Sequence, residues 1–272
     1  MSPALGEHLR AGSGPPLLLL HGFTATWHTW GPVATALTAT HDVLAPTLPG
    51  HTGGPPLPEG ESVDLVTDAL EAMLDEAGWR NAHVAGFSFG GWLAFELAKR
   101  GRARTVTAIS PGGATTERHE REARRIKLMF RRGWRSARAV EPWVDDLVRR
   151  PRFRRLALAD HFVHGERVSP AETAAIIRAF ARTPVFERFV GEIGRPPGLE
   201  GLETVRVPVT LLWGERDRVL PLRLHGPFFR ERLPHAEVEV LPRAGHVPFW
   251  DAPEAIVAAV LRRTAALSAA PG

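Results

Sequence analysis

Short, almost wholly apolar runs recur along the chain and are separated by stretches of different periodicity. The first run, from Leu17 to Leu20, lies between Pro15-Pro16 and His21-Gly22. A run without polar positions is typical of a strand that is buried on both faces. Similar runs occupy residues 42–45, 82–87, 105–109, 207–213 and 236–241.

Most of these runs are followed by a pattern of helical period. It predicts helices over residues 27–37, 62–77, 89–99 and 253–267. Gly101 follows the third as a left-handed stop, and the fourth begins at Pro253, where proline is favoured. The alternation predicts an α/β protein with a mostly parallel central sheet and helices on both faces.

The alternation stops between Gly113 and Gly201. Over this stretch the apolar positions have helical periodicity only, interrupted by prolines and glycines. We therefore predict two units. Residues 1–113 and 202–272 form the α/β core, and residues 114–201 form an inserted helical unit.

Composition narrows the possible chemistry. The 272 residues are 44% apolar, which is ample for a buried core, and none is cysteine. Disulfides, thiolate nucleophiles and cysteine-ligated metals are thereby excluded. No apolar run approaches the roughly 18 residues that a membrane span needs, and no secretory signal pattern is visible. We expect a cytoplasmic protein without membrane association, cofactor or metal.

Charge is concentrated in one segment. The formal net charge is +4, yet residues 117–155 contain 14 basic and six acidic side chains, a net +8. A solvated helix with pairs to Glu117, Glu120 and Glu122 is the favoured interpretation. The alternative is a basic surface that attracts anionic substrates. Nucleic-acid binding is not expected, because no recognised binding module accompanies the arginines.

One motif carries specific chemistry. Gly86-Phe87-Ser88-Phe89-Gly90-Gly91 follows a predicted strand and opens a predicted helix, the context of a G-x-S-x-G nucleophile elbow. The glycines give the clearance that the sharp turn requires. Ser88 is therefore the candidate nucleophile.

A serine nucleophile needs a base and an orienting acid. Asp217 follows a predicted strand in Trp213-Gly214-Glu215-Arg216-Asp217, and His246 follows the last strand. Because the carboxyl ends of parallel strands meet at one edge of the sheet, we expect both side chains to lie near Ser88. Glu215 is the alternative acid.

These motifs resemble those of α/β-hydrolase fold enzymes with a helical cap, and the resemblance covers residues 15–267. It implies that Ser88 is the nucleophile, Asp217 the acid and His246 the general base. It also implies an oxyanion hole formed by the backbone N–H groups of Phe23 and Phe89, and a cap formed by residues 114–201. Pro49-Gly50-His51-Thr52-Gly53 resembles the PGHG loop of the family, and an opening β-hairpin must be short or partly absent.

The resemblance implies acyl transfer by a serine hydrolase. Carboxylic esters are the expected small-molecule substrates, because they are the broadest class that this machinery serves. A C–C bond hydrolase acting on a vinylogous diketo acid and a ligand-binding receptor of the same fold are the alternatives. Epoxide hydrolases and haloalkane dehalogenases instead use Asp at the elbow. The oligomeric state is not predicted.

Other side chains are weaker candidates. His21 is expected to shape the oxyanion loop. His161 and His164, three residues apart on a predicted helix, are interpreted as part of a solvated face, because no carboxylate cluster accompanies them. Three aromatic residues flank the candidate catalytic residues: Phe87, Phe249 and Trp250. They are candidates for the lining of an apolar pocket, but core packing explains their positions nearly as well.

Overall fold

The computed structural model describes residues 7–60, 62–114, 119–195 and 198–268. Within these ranges seven strands form one sheet. They are β1 (His8–Ala11), β2 (Pro16–Leu20), β3 (Asp42–Pro46), β4 (Ala82–Phe87), β5 (Ala103–Ile109), β6 (Val209–Gly214) and β7 (Glu237–Leu241). The order is β1-β3-β2-β4-β5-β6-β7, and only β1 runs antiparallel to its neighbour.

Helices make up most of the rest of the described chain. They are α1 (Gly31–Thr38), α2 (Ser62–Glu76), α3 (Phe89–Lys99), α4 (His119–Val140), α5 (Val144–Leu147), α6 (Pro151–Ala157), α7 (Pro170–Arg182), α8 (Phe186–Glu192), α9 (Leu222–Arg232) and α10 (Pro253–Ser268). None of the helices in these ranges is both long enough and apolar enough to cross a membrane.

The sheet is covered on both faces, as the apolar runs predict. Within β2, Leu17 and Leu19 belong to one buried cluster, whereas Leu18 and Leu20 belong to the other. This alternation follows from the two-residue period of a strand. Helices α1 and α10 pack on the first face, and α2, α3 and α9 pack on the second. The predicted α/β class with a mostly parallel sheet is confirmed.

Two elements were not predicted. The strand β1 is only four residues long, lies at the sheet edge and alternates exposed with half-buried side chains. The helix α9 has Pro227 inside it and several arginines, which weaken its apolar pattern. A short edge strand and a helix with an internal proline both give weak periodic signals, because packing rather than local sequence stabilises them.

Between β5 and β6 the described chain is helical, from α4 to α8, with its own small core around Ala137, Val144 and Ile177. This agrees with the helical periodicity of residues 114–201. The limits of the predicted unit stay a prediction, and residues 115–118 and 196–197 lie outside the described residues.

The basic side chains of α4 are mostly directed to solvent. Exposed examples are Arg121, Arg124, Arg131, Arg132, Arg135 and Arg138. Arg124 pairs with Glu120 at 3.8 Å and Arg125 with Glu122 at 3.0 Å. Surface pairs of this kind contribute little to stability. Glu117, a predicted partner, lies outside the described residues.

Histidines with depressed pKa values should make the fold sensitive to acid. Burial lowers the pKa of His51, His83, His161 and His225 to about 4 each. In the unfolded chain these imidazoles have a pKa of about 6.5, so unfolding takes up protons below that pH. The contribution of these neutral histidines to the free energy of unfolding is complete above about pH 6.5 and is lost as the pH falls towards about 4. For a fully buried group such as His51 this contribution is roughly 3 kcal/mol.

We therefore expect the urea midpoint to fall steeply between about pH 7 and pH 5. His83 lies at the start of β4, where its Nδ1 is 2.8 Å from the Thr105 hydroxyl, and is distant along the strand from Ser88. The variant His83→Leu should show a shallower pH dependence than the parent. A midpoint that is constant over this range would contradict the prediction.

Candidate active site

The turn between β4 and α3 holds Ser88 in a strained backbone conformation. Its φ is 52° and its ψ is −112°, a region that non-glycine residues rarely adopt. A Cβ on Gly86 would lie 2.1 Å from the Gly90 carbonyl oxygen, and a Cβ on Gly90 would lie 2.3 Å from that of Leu20. Only glycine fits at these two positions. Such strain costs about 1–3 kcal/mol and is concentrated at functional sites.

Three side chains predicted to meet at the sheet edge are in hydrogen-bond contact. His246 Nε2 lies 3.1 Å from Ser88 Oγ, and His246 Nδ1 lies 2.8 Å from Asp217 Oδ2. Asp217 and His246 are both buried. The arrangement can move a proton from the serine hydroxyl to the imidazole while the carboxylate stabilises the imidazolium that results.

The carboxylate of Asp217 is held by backbone groups as well. Its Oδ1 accepts the N–H groups of Val219 at 2.9 Å and Leu220 at 2.8 Å. Burial alone would raise the pKa of Asp217, but the charge and the hydrogen bond of His246, with the Leu220 N–H, lower it below its ordinary value. Asp217 is therefore ionised at neutral pH.

The alternative acid, Glu215, is directed elsewhere. Its side chain is exposed, and its Oε2 accepts the backbone N–H of Arg243 at 2.8 Å. In this position Glu215 supports the turn after β7 rather than the imidazole of His246.

The two candidate oxyanion donors lie beside Ser88. A Cβ on Gly22 would be 3.2 Å from the Ser88 Cβ, so the Gly22–Phe23 peptide packs directly on the serine. Phe89 is the first residue of α3. Within the described chain, neither the Phe23 nor the Phe89 N–H donates a hydrogen bond to another protein group. Both can receive an oxyanion.

His21 orients the Gly22–Phe23 peptide. Its Nε2 accepts the Leu48 N–H at 2.9 Å, so the proton is on Nδ1, which donates to the Gly22 carbonyl at 2.8 Å. Burial holds the pKa of His21 well below its ordinary value, which keeps this neutral form. Because C=O and N–H point in opposite directions across a trans peptide, fixing the carbonyl fixes the Phe23 N–H.

The sequence-based interpretation of His161 was wrong. Residues 161–164 are not helical, and His161 is not on a solvated face. Its ring centroid lies 6.2 Å from that of His246, and its carbonyl accepts the Val247 N–H at 2.9 Å. His164 is half-buried, with Nδ1 3.4 Å from Glu166 Oε1. The three-residue spacing predicted a helix face, whereas the chain turns here to meet the His246 loop.

Asp251 fastens this turn to the His246 loop. Its carboxylate accepts the N–H groups of Val163 at 3.2 Å, His164 at 3.3 Å and Gly245 at 3.0 Å. A Cβ on Gly245 would lie 2.6 Å from the His161 carbonyl oxygen, so only glycine allows this contact. The base loop and the helical segment are therefore joined by backbone contacts.

Two cavities meet at Ser88. The larger, of about 490 Å³, is also lined by His246, His161, Phe87 and Trp250. The smaller, of about 170 Å³, is lined by Phe89, Trp92 and His225 instead. Phe23 and Phe130 border both. Phe87 and Trp250 thus border a cavity, whereas Phe249 is wholly buried in the core.

Charged side chains along the cavities have both signs. The acidic ones are Glu122 and Glu192 at the smaller cavity and Asp160 and Glu172 at the larger. The basic ones are Arg195 and Arg132, respectively. Among the described residues, no group of three or more histidine and carboxylate side chains is placed to hold a metal ion.

The fold and this geometry agree with a known family. The family model described as the alpha/beta hydrolase family matches residues 17–259. The chain therefore belongs to the alpha/beta hydrolase family and is an enzyme of that superfamily.

Individual relatives differ in their named activities. The chain is 35% identical over 190 residues to the epoxide hydrolase EphH of Mycobacterium tuberculosis, covering 70% of this chain and 88% of the relative. It is 29% identical over 251 residues to a pimeloyl-[acyl-carrier protein] methyl ester esterase of Aromatoleum aromaticum, covering 88% and 94%. A meta-cleavage product hydrolase from Pseudomonas fluorescens has a similar fold, with a TM-score of 0.72 at 20% identity and 97% of each chain covered.

Proposed function

We propose that the protein is a serine hydrolase that cleaves carboxylic esters through an acyl-enzyme intermediate. The observation that carries this proposal is the continuous hydrogen-bonded line from Asp217 through His246 to Ser88, with Ser88 exposed to two cavities. In this proposal Ser88 is the nucleophile, His246 the general base and Asp217 the orienting acid.

The reaction has two stages. His246 Nε2 removes the hydroxyl proton as Ser88 Oγ bonds to the ester carbonyl carbon, and the N–H groups of Phe23 and Phe89 stabilise the oxyanion. When the intermediate collapses, the alkoxy oxygen leaves with the proton from His246. Water, deprotonated by His246, then attacks the acyl carbon. The bond from that carbon to Ser88 Oγ breaks, His246 returns the proton to Oγ, and the acid is released.

The residue at the elbow favours ester cleavage over epoxide opening. A serine oxygen bonded to an acyl carbon gives an ester that water can hydrolyse, whereas opening an epoxide on serine would give a stable ether. The similarity to a methyl ester esterase over most of both chains supports the same choice. Because the 35% identical relative is named an epoxide hydrolase, an epoxide is included as a control substrate.

We also propose that the helical unit, residues 114–201, acts as a cap. Side chains from α4, α7 and α8 line the cavities at Ser88, including Phe130, Phe180 and Phe189. Because most arginines of α4 face solvent and the cavity charges are mixed, we propose neutral rather than anionic ester substrates.

Covalent labelling tests the proposed function. A fluorophosphonate probe is expected to label the folded protein once, on Ser88, because the phosphonyl group resembles the tetrahedral intermediate. The same preparation should hydrolyse neutral p-nitrophenyl esters faster than a dienoate diketo acid or styrene oxide. Absence of an adduct in folded protein would favour the receptor alternative, and preferential cleavage of the dienoate would favour the C–C bond hydrolase.

A further inference from the structure

The two cavities at Ser88 have different roles if the proposed function holds. In acyl transfer the departing alkoxy oxygen takes its proton from His246, so the leaving group must lie next to that imidazole. His246 lines the larger cavity but not the smaller one. The leaving group therefore occupies the larger cavity, and the acyl group occupies the smaller.

The size of the smaller cavity limits the acyl group. Its volume of about 170 Å³ is close to that of cavities of about 150 Å³ that hold benzene. Much of the wall is apolar, formed by Trp92, Ile126, Phe189 and Leu220. An acyl group with one phenyl ring or a chain of similar size fits this space.

The wall also carries two polar side chains with unused hydrogen-bonding capacity. His225, in the first turn of α9, is 4% exposed, and its Nε2 is buried without a hydrogen-bond partner. Glu122, on α4, is 9% exposed, and its Oε1 accepts no hydrogen bond from any described residue. A buried polar atom left unpaired, such as His225 Nε2, is unfavourable, and a ligand group that pairs with it removes that cost.

The charge of Glu122 is already balanced. Arg125 donates to Glu122 Oε2 at 3.0 Å and to the carbonyl oxygens of Arg218 at 2.9 Å and Val219 at 2.6 Å. Burial, opposed by the charge of Glu122, lowers the pKa of His225 to about 4, so its imidazole is neutral. This part of the cavity therefore favours a neutral group over an ion.

We propose that the smaller cavity binds an acyl group bearing a hydroxyl, which donates to Glu122 Oε1 and exchanges a hydrogen bond with His225. A hydroxyl suits both partners, because a carboxylate oxygen only accepts and a neutral imidazole both donates and accepts. The substrates are then neutral esters of hydroxylated acids. The inference rests on the proposed acyl transfer at Ser88.

Two pairs of esters with equal numbers of non-hydrogen atoms test the proposal. They are p-nitrophenyl 4-(hydroxymethyl)benzoate with 4-ethylbenzoate, and p-nitrophenyl 6-hydroxyhexanoate with heptanoate. At least one hydroxylated ester is expected to have a kcat/KM about tenfold or more above its partner, since His225 Nε2 stays unpaired with the alkyl ester. Equal values, or a preference for the alkyl ester in both pairs, would overturn the proposal, as would a stronger preference for 6-aminohexanoate.

Variants link the preference to the side chains. His225→Phe keeps an aromatic ring at this position but removes both nitrogen atoms. The ratio of kcat/KM for the hydroxylated ester to kcat/KM for its alkyl partner should therefore fall to about one. The matched control is His51→Phe, which removes another buried histidine with an unpartnered Nε2 that lines neither cavity. This control should leave the ratio unchanged. Loss of the ratio in both variants, or in neither, contradicts a specific role for His225.

Binding separates this proposal from the proposed function. The ketones 4′-(hydroxymethyl)acetophenone and 4′-ethylacetophenone carry matched groups and cannot be hydrolysed. If esters are not turned over but the hydroxylated ketone still binds about tenfold more tightly, the subsite stands and ester hydrolysis fails. If esters are turned over without any preference in kinetics or binding, only the subsite fails.

Discussion

Ser88→Ala is expected to reduce kcat for p-nitrophenyl esters by about five to six orders of magnitude, as removal of a serine nucleophile does in comparable sites. The alanine removes the protein atom that bonds to the carbonyl carbon of the substrate in the proposed mechanism. The hydrogen bonds of the elbow are made by backbone groups, such as the Ser88 N–H to the Ile109 carbonyl at 2.8 Å. The fold should therefore be retained, and thermal unfolding should change little.

The control for this variant is Ser13→Ala, an exposed serine between β1 and β2. It should keep parental kinetics and parental labelling by a fluorophosphonate. The kcat values are measured on purified proteins, with the active sites of the parent counted by titration. A kcat of Ser88→Ala comparable to that of the parent would refute the assignment of the nucleophile.

Asp217→Asn is expected to lower kcat by about four orders of magnitude while preserving the structure. Two backbone N–H groups, from Val219 and Leu220, point at Oδ1, so the amide oxygen of asparagine must take that place. The amide nitrogen then faces His246 Nδ1 and donates to it. The imidazole proton is forced onto Nε2, which can no longer accept the proton of Ser88.

Glu215→Gln is the matched control, because it makes the same acid-to-amide change in the same loop, at a side chain that accepts the Arg243 N–H instead of contacting His246. Its kcat should stay within about twofold of the parent, as expected of an exposed surface substitution. A large loss in this variant with little loss in Asp217→Asn would identify Glu215 as the acid. Steady-state kinetics with one neutral ester measures both variants.

Local sequence predicted the central part of the fold well. The run that became β2 is apolar throughout, and the run that became β4 is interrupted only by His83. The helix α3 follows an elbow whose glycines are required by backbone contacts. Signals of this kind lie within a few residues of one another. The meeting of Ser88, Asp217 and His246 was also predictable, because parallel strands end at a common edge. Their catalytic role stays a prediction.

The environment of Ser88 was not predictable in the same way. His161 reaches His246 only because residues 161–164 turn against the loop that contains Gly245. His225 and Glu122 border one cavity although about a hundred residues separate them and α9 itself was not predicted. Such contacts depend on how separate units pack, and no periodicity within either segment records that packing.

The carboxylate of Asp251 has a consequence for motion. By accepting N–H groups from Val163, His164 and Gly245, it makes the turn after α6 and the His246 loop one cooperative unit for local unfolding. If that turn opened, the imidazole would be drawn away from Ser88. We therefore expect the fluctuations that admit substrate to occur in another part of the helical segment. Opening of the cavity and positioning of the His246 imidazole are then separate events.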